Sequence, residues 1–143
     1  MKLQLLVSTM HQTDHSLLEK MNIQSNAIVV NQCDRDGIER FTFRGHDVLW
    51  MSMNERGVGL SRNNALMRAT GDILLFADDD VVYTDGYVDE IVKSFEENPK
   101  ADLIVFNLKS QNPDRPEAIV ENEYRLHWYN SLKFGAFRIA IRK

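Results

Sequence analysis

The stretch Asp72-Ile73-Leu74-Leu75-Phe76-Ala77-Asp78-Asp79-Asp80 joins a short apolar run to three consecutive carboxylates. The unbroken run at 73–76 is typical of a strand that is covered on both faces of a sheet. Three adjacent anions repel one another, and a divalent cation offsets that repulsion most directly. Hard oxygen ligands suit Mg²⁺ or Mn²⁺. The stretch therefore predicts a cation site, and the alternative is a solvated turn whose Asp residues cap the following helix.

The composition is that of one soluble globular domain. The 143 residues are 43% hydrophobic and 27% charged, and the formal net charge is −4. This acidic balance argues against a nucleic acid held by a basic surface, and no apolar run reaches the roughly 18 residues of a transmembrane helix. The single Cys33 excludes an internal disulfide and fits a reducing compartment. We therefore expect a cytoplasmic protein, with peripheral association with a membrane left open.

Strand and helix patterns alternate on both sides of the acidic stretch. Apolar and β-branched runs predict strands at 3–7, 27–30, 48–51 and 101–108, a short edge strand at 38–44 and a final strand at 137–142. Helical spacing predicts a first helix carrying Leu17, Leu18 and Met21. Two later helices are expected to begin at the N-caps Ser61 and Asp85. Residues 124–132 fit either a helix or a strand.

This alternation predicts an α/β fold with a mainly parallel sheet and right-handed crossovers. Ligands of such sheets bind beyond the carboxyl ends of the strands. The polar loops that follow Val7, Val30 and Ala77 are therefore expected to converge on one edge of the sheet. That convergence makes the three carboxylates a candidate site.

Two segments together resemble the centre of the family 2 glycosyltransferases. They are Gly59-Leu60-Ser61-Arg62-Asn63-Asn64-Ala65 and Ala69-Thr70-Gly71 followed by the acidic stretch. The first strand with Ser8-Thr9 and the second strand with its polar loop fit the same pattern, so the resemblance covers nearly the whole chain. It implies the GT-A fold, a Rossmann-like nucleotide-binding α/β sandwich.

The resemblance also implies a metal-dependent donor site. Asp78 and Asp80 match the family's Asp-x-Asp and would hold Mn²⁺ or Mg²⁺ against the diphosphate of a UDP- or GDP-sugar, which is transferred to a saccharide or lipid-linked acceptor. Asp79 should point the other way if the backbone stays extended. The nucleotide-sugar contacts carried over in this way are Ser8, Thr9, His11, Asn31, Asp34, Arg62, Asn63, Asp78 and Asp79.

The chain departs from the family pattern in two places. The family commonly has an Asp that faces the uracil ring at the end of the second strand, whereas this chain has Asn31, whose amide can still pair with a base edge. In the family, the acceptor-activating carboxylate lies after the last strand seen here. We therefore expect residues 1–143 to form a single donor-binding domain that is incomplete at its C-terminus and impaired alone, with the catalytic base beyond residue 143.

Two other functions fit parts of the pattern. The run Asp78-Asp79-Asp80-Val81-Val82 also fits the signature of haloacid-dehalogenase-like phosphatases, whose first Asp is a nucleophile, but that motif normally ends the first strand. A non-catalytic nucleotide-binding or interaction module is the third hypothesis. His11 and His15 have the spacing of a metal pair on a helix, but no third ligand is evident.

Overall fold

The fold is a mixed β-sheet with helices on both faces. The computed structural model describes residues 1–109, 114, 119–127, 129, 134–135 and 138–143. Within them the strands are β1 Leu3–Met10, β2 Asn26–Gln32, β3 Gly37–Phe43, β4 His46–Met53, β5 Ile73–Asp78, β6 Leu103–Val105 and β7 Ile139–Arg142. The helices there are α1 Leu17–Lys20, α2 Val58–Arg68 and α3 Tyr87–Glu97.

The sheet has a parallel centre and antiparallel edges. Its order is β3-β4-β2-β1-β5-β7-β6, and the pairs β4–β2, β2–β1 and β1–β5 are parallel. The outer pairs β3–β4, β5–β7 and β7–β6 are antiparallel. The predicted α/β fold is confirmed, with β3 as the expected edge strand and β5 inside the sheet as its apolar run predicted.

Alternate residues of the central strands enter two separate cores. Leu5 and Val7 of β1 pack in the core that contains α1 and α3, whereas Leu6 packs in the core beneath Ala65 of α2. In β5, Leu75 and Leu74 divide between the two cores in the same way. Because both faces are covered, these strands read as continuous apolar runs rather than as alternating ones.

The two predicted N-caps are wrong. α2 begins after Gly57 and α3 after Gly86, and both glycines have positive φ angles, 141° and 81°, which other residues rarely adopt. Ser61 lies inside α2 and is buried, and Asp85 accepts hydrogen bonds from the side chains of Asn22 and Gln24. The polar side chains that the local sequence rules assigned to helix ends therefore make hydrogen bonds with residues distant in the chain instead.

Smaller differences lie in the element bounds. β1, β2 and β4 extend beyond their predicted apolar runs, while β6 covers only three of the residues expected at 101–108. The final strand is confirmed over Ile139–Arg142, and its predicted start at 137 lies outside the described residues. Residues 124–127 form neither helix nor strand, and most of 128–132 is outside the described part. No helix in the described ranges is long and apolar enough to cross a membrane.

Candidate active site at the carboxyl ends of the parallel strands

The carboxyl ends of β1, β2 and β5 bring their polar residues together. Ser8 of β1 pairs with Asp78 of β5, and Thr9 pairs with Asn31 of β2. The contact between β1 and β2 continues one residue beyond the end of β1, since the main-chain N–H of His11 donates to the carbonyl of Gln32 at 2.9 Å. The predicted convergence of the loops on one edge is therefore what the structure shows.

Asp78 and Asp79 face opposite sides of the sheet. Arg62 of α2 donates from Nη2 to Oδ1 of Asp78 at 3.0 Å, whereas Thr9 donates from Oγ1 to Oδ2 of Asp79 at 2.7 Å. Side chains alternate along β1, so Ser8 and Thr9 face opposite sides, and Asp79, the first residue after β5, is on the side of Thr9. Asp80 comes just after β5 and is exposed, and its carboxylate has no hydrogen bond among the described residues. The three carboxylates therefore have three different environments.

The Arg62–Asp78 pair is partly buried, with side chains 25% and 33% exposed. One oxygen of Asp78 is bound by the guanidinium, so its second oxygen remains for another cation. A guanidinium has five N–H donors, and a single bond to Asp78 leaves most of them available for an anion such as phosphate. The adjacent Asn63 is exposed on the same helix.

Two of the predicted contact residues are engaged inside the protein. Ser61 donates to Oγ of Ser8 at 2.9 Å, and this bond joins α2 to β1 below the site. Asn31 is fully buried; its Oδ1 accepts from the main-chain N–H of Gln12 and its Nδ2 donates to the Gln12 carbonyl, both at 3.0 Å. In the structure, Asn31 therefore holds the loop after β1, and its contact with a base stays a prediction.

The remaining predicted contacts lie at the rim of the site. His11 is exposed and has a positive φ of 55°, and Asp34 is exposed in the loop after β2. His15 does not join His11 in a metal pair. Its ring stacks on Phe41 at 4.4 Å, and its Nε2 lies 3.2 Å from a carboxylate oxygen of Glu39.

A pocket of about 290 Å³ lies between the start of α1 and the carboxylates. It brings Lys20 and Gln12 next to Asp79 and Asp80, and the Gln12 amide donates to Thr9 Oγ1 at 3.0 Å. Sequence reasoning missed both Gln12 and Lys20. No local signal marks Gln12, and Lys20 is a basic residue in the last turn of a helix, a common position for a surface residue.

Tyr83 lies in the segment that leads from the carboxylates to α3. Its ring stacks on Tyr87 at 4.4 Å, and its hydroxyl is buried without a hydrogen-bond partner among the described residues. Burial raises the pKa of Tyr83 well above its ordinary value, and the nearby Tyr87 and the charge of Asp78 act in the same direction. The phenol is therefore neutral at any physiological pH.

Within the described residues, no three His, Cys, Asp or Glu side chains are placed to hold a metal ion together. Asp78 and Asp80, which match the predicted Asp-x-Asp, lie two residues apart at the carboxyl end of β5. Such a pair fits Mg²⁺ or Mn²⁺ that is bound mainly by water and substrate phosphate, because Mg²⁺ sites commonly use one or two carboxylates and complete the shell in that way.

Comparisons with known proteins agree with the fold. Residues 7–141 match the family model for glycosyl transferase family 2. The crystal structure of S. aureus TarS 1–349 superposes with a TM-score of 0.71 and 16% identity, covering 99% of this chain and 47% of that one. The crystal structure of the same TarS segment in complex with UDP-GlcNAc gives a TM-score of 0.59 and 20% identity, covering 85% and 39%.

The match to these structures is a likeness of fold. The chain spans less than half the length of either TarS chain. No curated protein matches it significantly. Since one fold can carry many functions, the chemistry of this chain must be argued from its own residues.

Proposed function

Because the chain belongs to glycosyl transferase family 2, we propose that its carboxyl edge binds a nucleotide-diphosphate sugar through Mn²⁺ or Mg²⁺ for transfer to a saccharide or lipid-linked acceptor. The observation that carries the proposal is the hydrogen bond of Arg62 with Asp78, the last residue of β5, with Asp80 two residues further along the chain. On this proposal, the two carboxylates serve a cation and the guanidinium serves an anion at the same edge of the sheet.

In this proposal the carboxylates bind the cation and the guanidinium binds the phosphate. The second oxygen of Asp78 and the exposed carboxylate of Asp80 would hold the cation. The cation would neutralise the charge that develops on the leaving diphosphate. Arg62 is tied to Asp78 by one nitrogen and would contact a phosphate oxygen with another. Asp79 is bonded to Thr9 and would act by fixing its two neighbours.

The donor is proposed to be a UDP-sugar, with a GDP-sugar as the second candidate. One structure that this fold resembles is a complex with UDP-GlcNAc, and the family resemblance implies a nucleotide-diphosphate donor. The rim residues His11, Asp34 and Asn63 are exposed around the edge and would complete the nucleotide contacts. As the resemblance implies, the general base that activates the acceptor would lie outside residues 1–143. A cytoplasmic location remains our expectation.

Calorimetric titration of UDP and GDP, each with and without Mn²⁺, tests the proposal. We expect nucleotide binding that requires the metal, and we expect Asp80→Asn to weaken binding in the presence of Mn²⁺ at least about tenfold. Asp102→Asn is the matched control, because Asp102 is also exposed and its side chain has no hydrogen bond in the described part of the chain. Equal binding by Asp80→Asn and by Asp102→Asn would contradict the metal assignment.

A turnover measurement distinguishes a glycosyltransferase from a non-catalytic nucleotide-binding module. Release of UDP from a UDP-sugar that requires Mn²⁺ supports transferase chemistry. Metal-dependent UDP binding without any release, even with a longer protein that contains this chain, would favour a non-catalytic nucleotide-binding module. A phosphatase of the haloacid-dehalogenase type has less support, since the Asp78 motif ends the fifth strand along the chain rather than the first.

A further inference from the structure

A second pocket lies at the opposite end of the sheet, where the parallel strands begin. Its volume is about 430 Å³. Strands β1, β2, β4 and β3 form its floor, and the residues at the end of α2 form its wall. We call it the amino-edge pocket, and its principal polar lining residues are Gln4, Asn26, Arg40, Thr42, Arg68 and Thr70.

Strand register places the polar floor residues on one face. Gln4 pairs with Asn26, and Thr42 pairs with Asp47, whose main-chain N–H is bonded by the Asn26 side chain. Arg40 pairs with Leu49, which packs in the core beneath α2. The pocket therefore lies on the α2 face of the sheet and is a product of the strand pairing, although its residues are far apart in sequence.

Gln4 is the fixed element of this pocket. It is only 8% exposed, and its Oε1 accepts hydrogen bonds from the main-chain N–H groups of Thr70 at 2.8 Å and Gly71 at 3.0 Å. A Cβ at Gly71 would lie 2.7 Å from Cβ of Gln4, so the glycine makes this approach possible. Two main-chain donors settle which amide atom is oxygen. The Nε2 donors of Gln4 are left without a partner among the described residues.

A second amide is oriented in the same way. Asn26 accepts from the N–H of Asp47 at Oδ1, at 3.0 Å, and its Nδ2 has no hydrogen bond in the described ranges. Neither nitrogen is among the buried atoms that lack a partner in the described ranges, so both remain accessible to water or to a ligand. Both amides therefore present N–H donors to the same pocket.

Two guanidiniums add positive charge. Arg40 has no ion-pair or hydrogen-bond partner among the described residues, and Arg68 uses only Nη1, on the carbonyl and the side-chain oxygen of Asn64. The single acidic lining residue is Asp47. The negative end of the α2 dipole is partly offset, because Lys143 donates from Nζ to the Ala69 carbonyl. Donors and positive charge therefore exceed acceptors and negative charge in this pocket.

We propose that the amino-edge pocket binds the phosphate group of a small phosphate monoester. The two guanidiniums would pair with the phosphate oxygens, and the Gln4 and Asn26 amides would donate to the oxygens that remain. The volume exceeds what a bare phosphate fills, and Ile28 and Leu49 give the pocket an apolar part for the organic body of the ester. This site is independent of the donor site, and it needs neither a metal ion nor a nucleotide.

Titration of the ¹⁵N-labelled protein with glycerol 3-phosphate, followed by NMR, tests the proposal. We expect the side-chain amide resonances of Gln4 and Asn26 to shift on titration, and we expect glycerol, the matched neutral compound, to shift neither. These resonances report the contact without substitution of Gln4, whose Oε1 holds the backbone of Thr70 and Gly71. Shifts confined to the carboxyl edge would overturn the proposal.

Substitution of the two arginines tests whether their positive charge binds the phosphate. Arg40→Gln combined with Arg68→Gln should weaken glycerol 3-phosphate binding by about tenfold or more, because the phosphate loses both of its guanidinium partners. Lys93→Gln combined with Lys100→Gln removes the same charge from exposed positions elsewhere and should change the affinity less than about twofold. An equal loss of affinity in the two double variants would show that net charge alone causes the effect, and it would overturn the proposed site.

A further comparison identifies the source of the phosphate. Vesicles containing phosphatidic acid present the same monoester on a lipid headgroup. Binding of the vesicles that is lost in the double arginine variant would show that a headgroup can reach the pocket, whereas binding of glycerol 3-phosphate alone would assign a soluble ester. Loss of UDP binding in the Asp80→Asn variant affects neither result, so this proposal and the proposed function can fail separately.

Discussion

Thr9 and Asp79, seventy residues apart, are joined by a 2.7 Å hydrogen bond from Oγ1 to Oδ2. The same hydroxyl accepts from the side-chain amide of Gln12, so the loop after β1 and the acidic end of β5 meet at one oxygen atom. This bond continues the β1–β5 pairing one step beyond Ser8 and Asp78. It fixes the middle carboxylate, and through the backbone it limits where Asp78 and Asp80 can lie.

Replacement of this hydroxyl should cost stability and metal affinity together. Thr9→Val keeps the shape, but it removes the donor to the Asp79 carboxylate and one of the two acceptors of the Gln12 amide. We expect the free energy of unfolding in urea to fall by about 1–2 kcal/mol. Mn²⁺-dependent UDP binding should weaken as well. Thr9→Ser retains the hydroxyl and should recover most of both losses. A Thr9→Val protein that binds UDP and Mn²⁺ as tightly as the parent would show that Asp79 does not position its neighbours.

Arg62 is expected to matter more for binding than for folding. The pair with Asp78 is partly solvated, so its loss should change the free energy of unfolding by no more than about 1 kcal/mol. Arg62→Gln removes a phosphate contact and should raise the Kd for UDP with Mn²⁺ by about tenfold or more. Arg62→Lys keeps the charge and loses the planar geometry, and we expect an intermediate affinity. Lys93→Gln, an exposed charge on α3, serves as the control. If Arg62→Gln lowers the free energy of unfolding by as much as it lowers the free energy of UDP binding, the role of Arg62 is structural instead.

The sequence was sufficient to predict those features that depend on burial and strand direction. The apolar run before Asp78 predicted an internal strand, and parallel pairing then required the loops after Val7, Val30 and Ala77 to converge. Side-chain partners across the fold were not predictable in this way. Ser61 bonds Ser8, which lies 53 residues away in the chain, and no local pattern indicates that pairing.

Asn31 is a second example, and it leads to a prediction. Its amide is fully buried and completes two hydrogen bonds with the main chain of Gln12. Asn31→Asp restores the residue that the family commonly has, but an ionised carboxylate cannot donate to the Gln12 carbonyl and would be buried. We expect the free energy of unfolding to fall by about 2–4 kcal/mol.

Asp34→Asn is the matched comparison, because Asp34 is exposed in the loop that follows β2. Its free energy of unfolding should stay within about 0.5 kcal/mol of the parent value. If Asn31→Asp folds with parental stability and binds UDP more tightly, position 31 faces the base and the Gln12 bonds are dispensable.

Tyr83 should make the protein less stable in alkaline solution. Burial holds the pKa of its phenol above the ordinary 10.0, so above pH 10 the unfolded chain loses this proton while the folded protein keeps it. The folded state then binds more protons than the unfolded state, and the free energy of unfolding falls as pH rises. Denaturant unfolding between pH 7 and pH 11.5 should show this slope.

Tyr83→Phe removes the titrating group and a buried hydroxyl that has no partner in the described part of the chain. We expect a smaller alkaline slope and, near pH 7, a stability equal to or about 1 kcal/mol above that of the parent. Part of the slope should remain, because burial also raises the pKa of Tyr87, whose hydroxyl keeps its hydrogen bond with Ser25. An unchanged slope in Tyr83→Phe, or a loss of more than about 1 kcal/mol at pH 7, would mean that the Tyr83 hydroxyl has a partner in solution and supports the segment after the carboxylates.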